Sequence, residues 1–243
     1  MLRMTQGEIY FTIFEFSLAT GYFRYNEKMS KWIVTGASGS VASACIEVLL
    51  SKGRLVTGYA RGHIQDTSVS FNKVQNYREL EFDTTDCEGL LVAQGFFHYE
   101  PLETTSEANL CDLLEANFLS QIHVVRSFLQ QVKRDQRVNI VILGSTSAFE
   151  AGRGTVVYGA AKAGMLAFVK GLNNEYLDTD IRFWLVSTGT LANEMGAKVP
   201  NQDPTSLLDV NLVAKEIIEK VTSNSNLWQP EITIRRRHIK LIN

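Results

Sequence analysis

The 243-residue sequence lacks an excess of either charge, a patterned set of cysteines and any long apolar run. Its 24 basic and 26 acidic residues give a formal net charge of −2, so no overall basic field favours nucleic acid. No apolar stretch approaches the roughly 20 residues of a membrane-spanning helix, so no membrane segment is expected. The three cysteines are unpatterned, and His63, His123 and His238 lack metal-ligand spacing. We therefore expect reduced thiols, a cytoplasmic location and no metal site.

The first 28 residues differ from the rest of the chain. They are crowded with aromatic side chains, and Glu8 and Glu15 interrupt their apolar stretch, which argues against a secretory signal. Met29 then opens MSKWIVTGASG, which looks like the natural start of the globular part. We predict that residues 1–28 are an extension outside the core fold and that residues 29–243 form one domain. An added strand or helix that covers an apolar face is the alternative for the extension.

From residue 31 onward, short apolar runs alternate with amphipathic stretches. The predicted strands are 32–36, 54–61, 77–83, 89–95, 139–145, 181–189 and 231–236. The predicted helices are 40–53, 106–134 with a break near Asn117, 155–177 and 207–223, and 62–75 is a loop or one poor helix. This alternation predicts an α/β fold, a doubly wound parallel sheet with helices on both faces. Only five residues separate the third and fourth predicted strands, so the usual crossover helix is expected to be missing or reduced.

Two short motifs carry candidate chemistry. The turn TGASGSVA follows the first strand: Gly36 allows a tight bend, and Gly39 lets the backbone approach a phosphate. Ser38 and Ser40 add hydroxyls to the dipole of the following helix, which suits a pyrophosphate. The turn therefore predicts dinucleotide binding.

The second motif is YGAAK in the predicted helix 155–177. Tyr158 and Lys162 are four residues apart, so they share one face of that helix. A lysine beside a phenol favours the phenolate, and we expect the pKa of Tyr158 to fall from its ordinary value near ~10. The pair would then be a proton donor that works near neutral pH.

With these motifs in place, the chain resembles the short-chain dehydrogenase/reductase family, in its single-domain form with a YxxxK active site, from about Lys31 to Met195. The family turn is TGxxxGxG; Gly36 matches, whereas Ser40 and Ala42 stand at the other two glycine positions. The resemblance implies a Rossmann-like fold and hydride transfer between a nicotinamide cofactor and a carbonyl or alcohol.

The resemblance also implies a catalytic tetrad. Tyr158 would donate a proton to the carbonyl oxygen, and Ser145, thirteen residues earlier, would hydrogen-bond the same oxygen, with Ser147 as the fallback. Lys162 would bind the nicotinamide ribose and depress the tyrosine pKa. Asn117 would anchor a proton relay to solvent.

For the cofactor, the family position just past the second strand decides between NAD and NADP. Arg61 holds it here, and a guanidinium suits a 2′-phosphate through paired hydrogen bonds, so NADP is expected rather than NAD. The resemblance places Asp83 and Thr84 beside the adenine. It also keeps Gly95, the last residue of the family's NNAG stretch.

After the sixth predicted strand, STGTLANEM replaces the family's PGxxxT stretch. Gly189 is kept, Leu191 lies within the stretch, and Asn193 stands where a threonine contacts the cofactor; all three are expected to line the cofactor site. An amide can still hydrogen-bond a carboxamide or a phosphate.

The leading hypothesis is an NADP-dependent oxidoreductase acting on a small-molecule or carrier-bound carbonyl or alcohol. A homodimer or homotetramer, paired through the helices that carry Asn117 and Lys162, is implied by the resemblance. Two alternatives stay open: a non-catalytic nucleotide-binding sensor or scaffold on this fold, and a sugar-nucleotide-modifying enzyme. The basic cluster at 235–240 is either a phosphate-binding surface or a solvated edge strand.

Overall fold

A seven-stranded parallel sheet organises the computed structural model, which describes residues 30–62, 68–200, 203, 205, 207–223 and 228–236. Its strands are β1 (Lys31–Thr35), β2 (Leu55–Ala60), β3 (Ser70–Lys73), β4 (Cys87–Val92), β5 (Val138–Leu143), β6 (Ile181–Thr188) and β7 (Glu231–Ile234). The strand order is β3-β2-β1-β4-β5-β6-β7, and every neighbouring pair is parallel. The prediction of a doubly wound parallel sheet is confirmed.

The helices cover both faces of the sheet. They are α1 (Ser40–Ser51), α2 (Glu107–Leu114), α3 (Ser120–Leu129), α4 (Val156–Glu175) and α5 (Val210–Val221), and a π-helical turn at Glu115–Leu119 joins α2 to α3. The buried side chains of α1 and α5 share one core cluster with the sheet, and those of α3 and α4 share the other. The central strands are buried on both faces, which explains their near-continuous apolar runs.

The prediction for the third strand is wrong. This strand runs over Ser70–Lys73, inside the stretch expected to be a loop or poor helix, whereas residues 77–83 have no regular structure. Residues 74–86 therefore form the connection to β4, which is long enough for a parallel crossover. No helix occurs within 74–86, so the expected loss of the crossover helix is confirmed for this link.

The strand order reverses between β1 and β4, and open parallel sheets bind ligands at such a switch point, beyond the carboxyl ends of the strands. Gly36, Gly95 and Gly144 follow β1, β4 and β5 at this edge. No helix among the described residues is long and apolar enough to cross a membrane, and no metal-binding group of side chains occurs in that part of the chain. Residues 1–28, His63, His238 and most of the 235–240 cluster lie outside the described residues.

Candidate active site

The glycine turn between β1 and α1 fits a phosphate-bearing ligand. Gly36 has φ +69°, and a Cβ there would come within 2.5 Å of the Gln94 backbone nitrogen, so only glycine fits. Gly39 is the N-cap of α1, and no side chain caps that end. The first-turn amides of α1 are therefore free of a side-chain cap, as an anion site requires. Ser38 and Ser40 are both exposed beside them.

The segment after β6 is tied to this turn by Asn193. Its Nδ2 donates to Ser40 Oγ at 2.9 Å, and its Oδ1 accepts from the Gly196 backbone nitrogen at 2.8 Å. Leu191 forms an isolated parallel bridge with Leu208. The structure thus brings Asn193 to the N-terminal end of α1, beside the glycine turn.

A cleft of about 100 Å³ lies between the ends of β5 and β6 and the start of α4. Ser145, Ser147, Tyr158, Gly189, Leu191 and Asn193 are among the residues that line it. The hydroxyls of Ser145 and Tyr158 lie within reach of each other, and Ser145 Oγ accepts a hydrogen bond from the Ser147 backbone nitrogen at 3.1 Å. Phe97 packs edge-on against the Tyr158 ring at 5.2 Å between centroids. The serine and tyrosine expected to face a substrate carbonyl are thus adjacent in one cleft.

Lys162 is 4% exposed, and its Nζ donates to the Leu143 carbonyl oxygen at 3.0 Å. Burial lowers the pKa of this amine to about 8. Burial also raises the pKa of Tyr158, and the Ser145 hydrogen bond only partly opposes it. The expected lowering of the Tyr158 pKa is therefore wrong for the protein without ligands, because desolvation of the phenolate outweighs its stabilisation. Lys162 Nζ sits 5.8 Å from the centre of the tyrosine ring.

Asn117 lies in the π-helical turn, which confirms the break predicted in this helix. Its Nδ2 donates to the carbonyl oxygens of Phe96 at 2.8 Å and Leu113 at 3.1 Å. Gly95 has φ +153°, and a Cβ there would lie 2.6 Å from Asn117 Oδ1, so glycine allows the loop after β4 to approach the turn. Single π turns inside α-helices often mark functional positions.

A glutamine brace replaces the asparagines of the NNAG stretch. Thr35 Oγ1 donates to Gln94 Oε1 at 2.6 Å, and Gln121 Nε2 donates to the Gln94 carbonyl oxygen at 2.7 Å. This brace joins β1, the loop after β4 and α3 in the buried centre of the molecule. The only signal for it in the sequence is Gln94 inside an apolar strand end.

Asp83 and Thr84 do not reach this site. Asp83 pairs with Lys31 at 2.6 Å, and the Lys31 hydrogen bond holds the pKa of the carboxyl at about 2. Lys31 is the first residue of β1, whereas the glycine turn follows its last. Thr84 Oγ1 donates to the Gln131 carbonyl oxygen, beyond the C-terminus of α3. The structure therefore places both residues at the opposite edge of the sheet from the turn, which corrects their prediction as adenine neighbours.

Arg61 and Tyr77 lie near the carboxyl end of β2. Arg61 is exposed directly after β2, where the sequence places it. Tyr77, which the sequence did not single out, is buried nearby. Burial raises the pKa of Tyr77, and the Arg61 charge and the backbone amides of Gly36 and Arg61 act against that rise. The Tyr77 hydroxyl therefore faces the carboxyl ends of β1 and β2.

Comparison with known proteins assigns the class. The family model described as short chain dehydrogenase matches residues 83–204, which is half of the chain. The chain therefore belongs to the short-chain dehydrogenase/reductase family, a family of oxidoreductases that bind nicotinamide cofactors on a Rossmann-like sheet.

The individual relatives are distant in sequence. A 3-oxoacyl-[acyl-carrier-protein] reductase of Haemophilus influenzae is 24% identical over 72% of this chain and 80% of its own length. An alcohol dehydrogenase from the archaeon Thermococcus sibiricus, solved with 5-hydroxy-NADP, superposes with a TM-score of 0.73 at 16% identity, over 87% of this chain and 99% of that one. Serine dehydrogenase from Escherichia coli superposes with a TM-score of 0.72 at 17% identity, over 85% and 97%. At these identities the solved structures establish the fold alone.

Proposed function

We propose that the protein is an NADP-dependent oxidoreductase that interconverts a carbonyl and an alcohol, with Tyr158 as general acid and base. One observation carries the proposal: Ser145 and Tyr158 line a cleft together with Asn193, and Asn193 donates a hydrogen bond to Ser40 in the first turn of α1, whose start has no side-chain cap. A hydroxyl pair at one end and a phosphate-binding turn at the other are the two groups that such a reaction needs on one edge of a sheet.

The chain's own residues handle the proton. A nicotinamide, when bound, supplies or accepts the hydride. Tyr158 gives its proton to the carbonyl oxygen during reduction, and Ser145 holds the same oxygen by a hydrogen bond. Lys162, with its pKa near 8, is poised to exchange a proton near neutral pH. Asn117 holds the loop after β4 against the helix that faces this lysine.

The preference for NADP rests on Arg61. It is exposed just past β2, at the edge where the glycine turn lies. A guanidinium forms paired hydrogen bonds with a phosphate and cannot lose its charge near neutral pH. The alcohol dehydrogenase that shares this fold was solved with a derivative of NADP, which is consistent with the preference.

The substrate is proposed to be a small or carrier-bound carbonyl compound. Apolar side chains of Phe97, Leu191, Met195 and Val199 line the cleft beside the hydroxyl pair. They would hold an apolar group next to the reacting carbonyl. The Haemophilus relative is named for a substrate carried on acyl carrier protein, which supports a carrier-bound form.

Replacing the proposed acid tests the mechanism. Tyr158→Phe removes only the hydroxyl, so we expect reduction of small ketones, aldehydes and an acetoacetyl thioester to fall by at least about 10³-fold. Binding of NADPH, followed by nicotinamide fluorescence, should stay within about twofold of wild type. Tyr176→Phe, at the far end of α4, is the matched control and should keep full activity. A Tyr158→Phe enzyme with the wild-type rate would refute the mechanism.

A non-catalytic nucleotide-binding protein is the second candidate. The raised pKa of Tyr158 and the narrow cleft favour it, because a raised pKa makes the phenol a weaker acid and a small cleft leaves little room for a substrate. It predicts tight NADPH binding with no turnover of any carbonyl tested. Measurable NADPH oxidation that Tyr158→Phe abolishes would exclude it.

A homodimer or homotetramer and a cytoplasmic location complete the proposal. An open groove of about 320 Å³ runs between α3 and α4, with Ile122, Val125, Leu129, Phe168 and Leu172 in its lining. The apolar lining supports pairing through these helices. The three cysteines are free thiols, and Cys111 is exposed, which fits a reducing compartment.

A further inference from the structure

We propose that Lys73, at the end of β3, is a second cation for the 2′-phosphate of the cofactor and determines the preference for NADP together with Arg61. The inference rests on the proposed function and names a specificity residue at the same site. The sequence predicts a third strand that ends at Asp83, an acid, whereas the observed third strand ends at Lys73. The end of the third strand therefore carries a positive charge where the sequence predicted a negative one.

The strand register brings the two cations together. Ala60, the last residue of β2, pairs with Lys73, the last residue of β3. The Val74 backbone nitrogen continues the ladder by donating to the Ala60 carbonyl oxygen at 3.0 Å. Arg61 follows Ala60 directly, and neighbouring strands are about 4.8 Å apart. The backbones of Arg61 and Lys73 therefore lie about one strand spacing apart, at the carboxyl edge of the sheet.

Lys73 also lies on the face of the sheet that α1 covers, and α1 is the helix that follows the glycine turn. Paired residues of parallel strands share a face, and Ala60 is fully buried in the cluster that contains α1. Lys73 is therefore on the α1 side of the sheet. On that side Ser38 Oγ lies 3.1 Å from the position that a Cβ on Gly62 would take. The turn, the end of β2 and the end of β3 thus enclose one corner.

The two cations are available for an anion. Both Arg61 and Lys73 are exposed, and within the described part of the chain neither has an ion-pair partner. By contrast, Lys31 and Arg54, at the opposite edge of the sheet, are both paired with carboxylates. A phosphate monoester carries nearly two negative charges near neutral pH, so two cations at one corner of the sheet match its charge better than one. The ribose hydroxyl of NAD, at the same place, offers no such charge.

Parallel titrations with NADPH and NADH, read by nicotinamide fluorescence, test the inference. Lys73→Gln removes one charged hydrogen bond, and we expect it to weaken NADPH binding about tenfold while NADH binding stays within about twofold. Lys73→Arg should retain most of the NADPH affinity. Lys52→Gln, an exposed lysine after α1, is the matched control and should change neither. Adenosine 2′,5′-bisphosphate, as competitor, should lose affinity in Lys73→Gln in the same proportion as NADPH.

The outcomes separate this inference from the proposed function. If Arg61→Gln lowers the NADPH preference and Lys73→Gln does not, Lys73 has no part in specificity and the proposed function stands. A wild-type protein that prefers NADH, or that binds neither nucleotide, overturns the NADP proposal and the Lys73 site together. Thermal unfolding of each variant checks folding; the side chain is exposed, so we expect Lys73→Gln to unfold within about 1 °C of wild type.

Discussion

At the scale of single residues, Lys162 is a buried amine whose nitrogen lies 5.8 Å from the centre of the Tyr158 ring. Its amine is buried against the Leu143 carbonyl, and burial lowers its pKa from 10.5 to about 8. In the unfolded chain the amine is solvated and keeps its ordinary pKa. Between pH 8 and 10.5 the unfolded state therefore binds a proton that the folded state does not, so stability rises with pH across this window. Below pH 8 the buried charge destabilises the fold by an amount that does not change with pH.

Lys162→Met should reveal the free-energy cost of burying the charged amine. At pH 7 we expect the variant to be more stable than wild type by up to about 3 kcal/mol, the equivalent of the pKa shift. The difference should become small by pH 10.5, where the wild-type amine is neutral in the folded state and half deprotonated in the unfolded state. Urea unfolding at about pH 7 and about pH 10 measures it, with Lys170→Met on the exposed side of α4 as control. A difference that is the same at both pH values would contradict the assignment.

At the scale of elements, the packing of α4 explains why this helix, which carries Tyr158 and Lys162, is rich in small residues. Gly159 and Gly164 allow close contact with neighbours: a Cβ on Gly159 would lie 2.5 Å from that of Ala151, and one on Gly164 would lie 2.9 Å from the Phe118 ring. Phe118 belongs to the π-helical turn that carries Asn117. The small residues of α4 thus hold the two helices of the site close together, whereas the sequence indicated only that little bulk surrounds Tyr158.

A pair of substitutions within α4 separates packing from helix propensity. Among the described residues, no neighbouring atom lies within 4 Å of the position that a Cβ on Gly171 would take, so Gly171→Ala should stabilise the protein by about 0.5–1 kcal/mol. Gly164→Ala gains the same propensity but presses on Phe118, and we expect net destabilisation of about 1–2 kcal/mol. Thermal unfolding of both variants provides the measurement. Equal stabilisation by the two would show that Phe118 moves aside without penalty.

The connection 74–86 explains why the sequence predicts the third strand at 77–83, which is the wrong position. Tyr77, Leu80 and Phe82 are buried, and the alternation of Leu80 and Phe82 with polar residues is typical of a strand. Their backbone groups are instead satisfied by side chains: the Phe82 backbone nitrogen donates to Gln131 Oε1, and the Tyr59 hydroxyl donates to the Glu81 carbonyl oxygen. These partners are distant in the chain, so the pattern of apolar residues could not separate a covering loop from a strand.

At the scale of the whole molecule, the groove between α3 and α4 is where assembly can be tested. Phe168 lines it and is partly buried against the core. If the protein pairs through this groove, Phe168→Glu should place a charge in the interface and shift a dimer or tetramer to smaller species at micromolar concentration. Sedimentation velocity measures the change. Leu102→Glu, at an exposed leucine outside the groove, is the control.

An unchanged assembly in Phe168→Glu would exclude this groove as the interface. A wild-type protein that sediments as a monomer would exclude the assembly altogether.

What the sequence by itself determined is local. Helical spacing places Tyr158 and Lys162 on one face, a glycine after a buried strand predicts the phosphate turn, and alternating apolar segments predict the parallel sheet, because each depends only on neighbours in the chain. Tertiary structure decided what depends on strand register and burial. It placed Asp83 beside Lys31 at the start of β1, away from the glycine turn, and it placed Lys73 beside the end of β2, which Arg61 follows. It also raised the pKa of Tyr158, because desolvation is a property of the packed interior and not of the residue spacing.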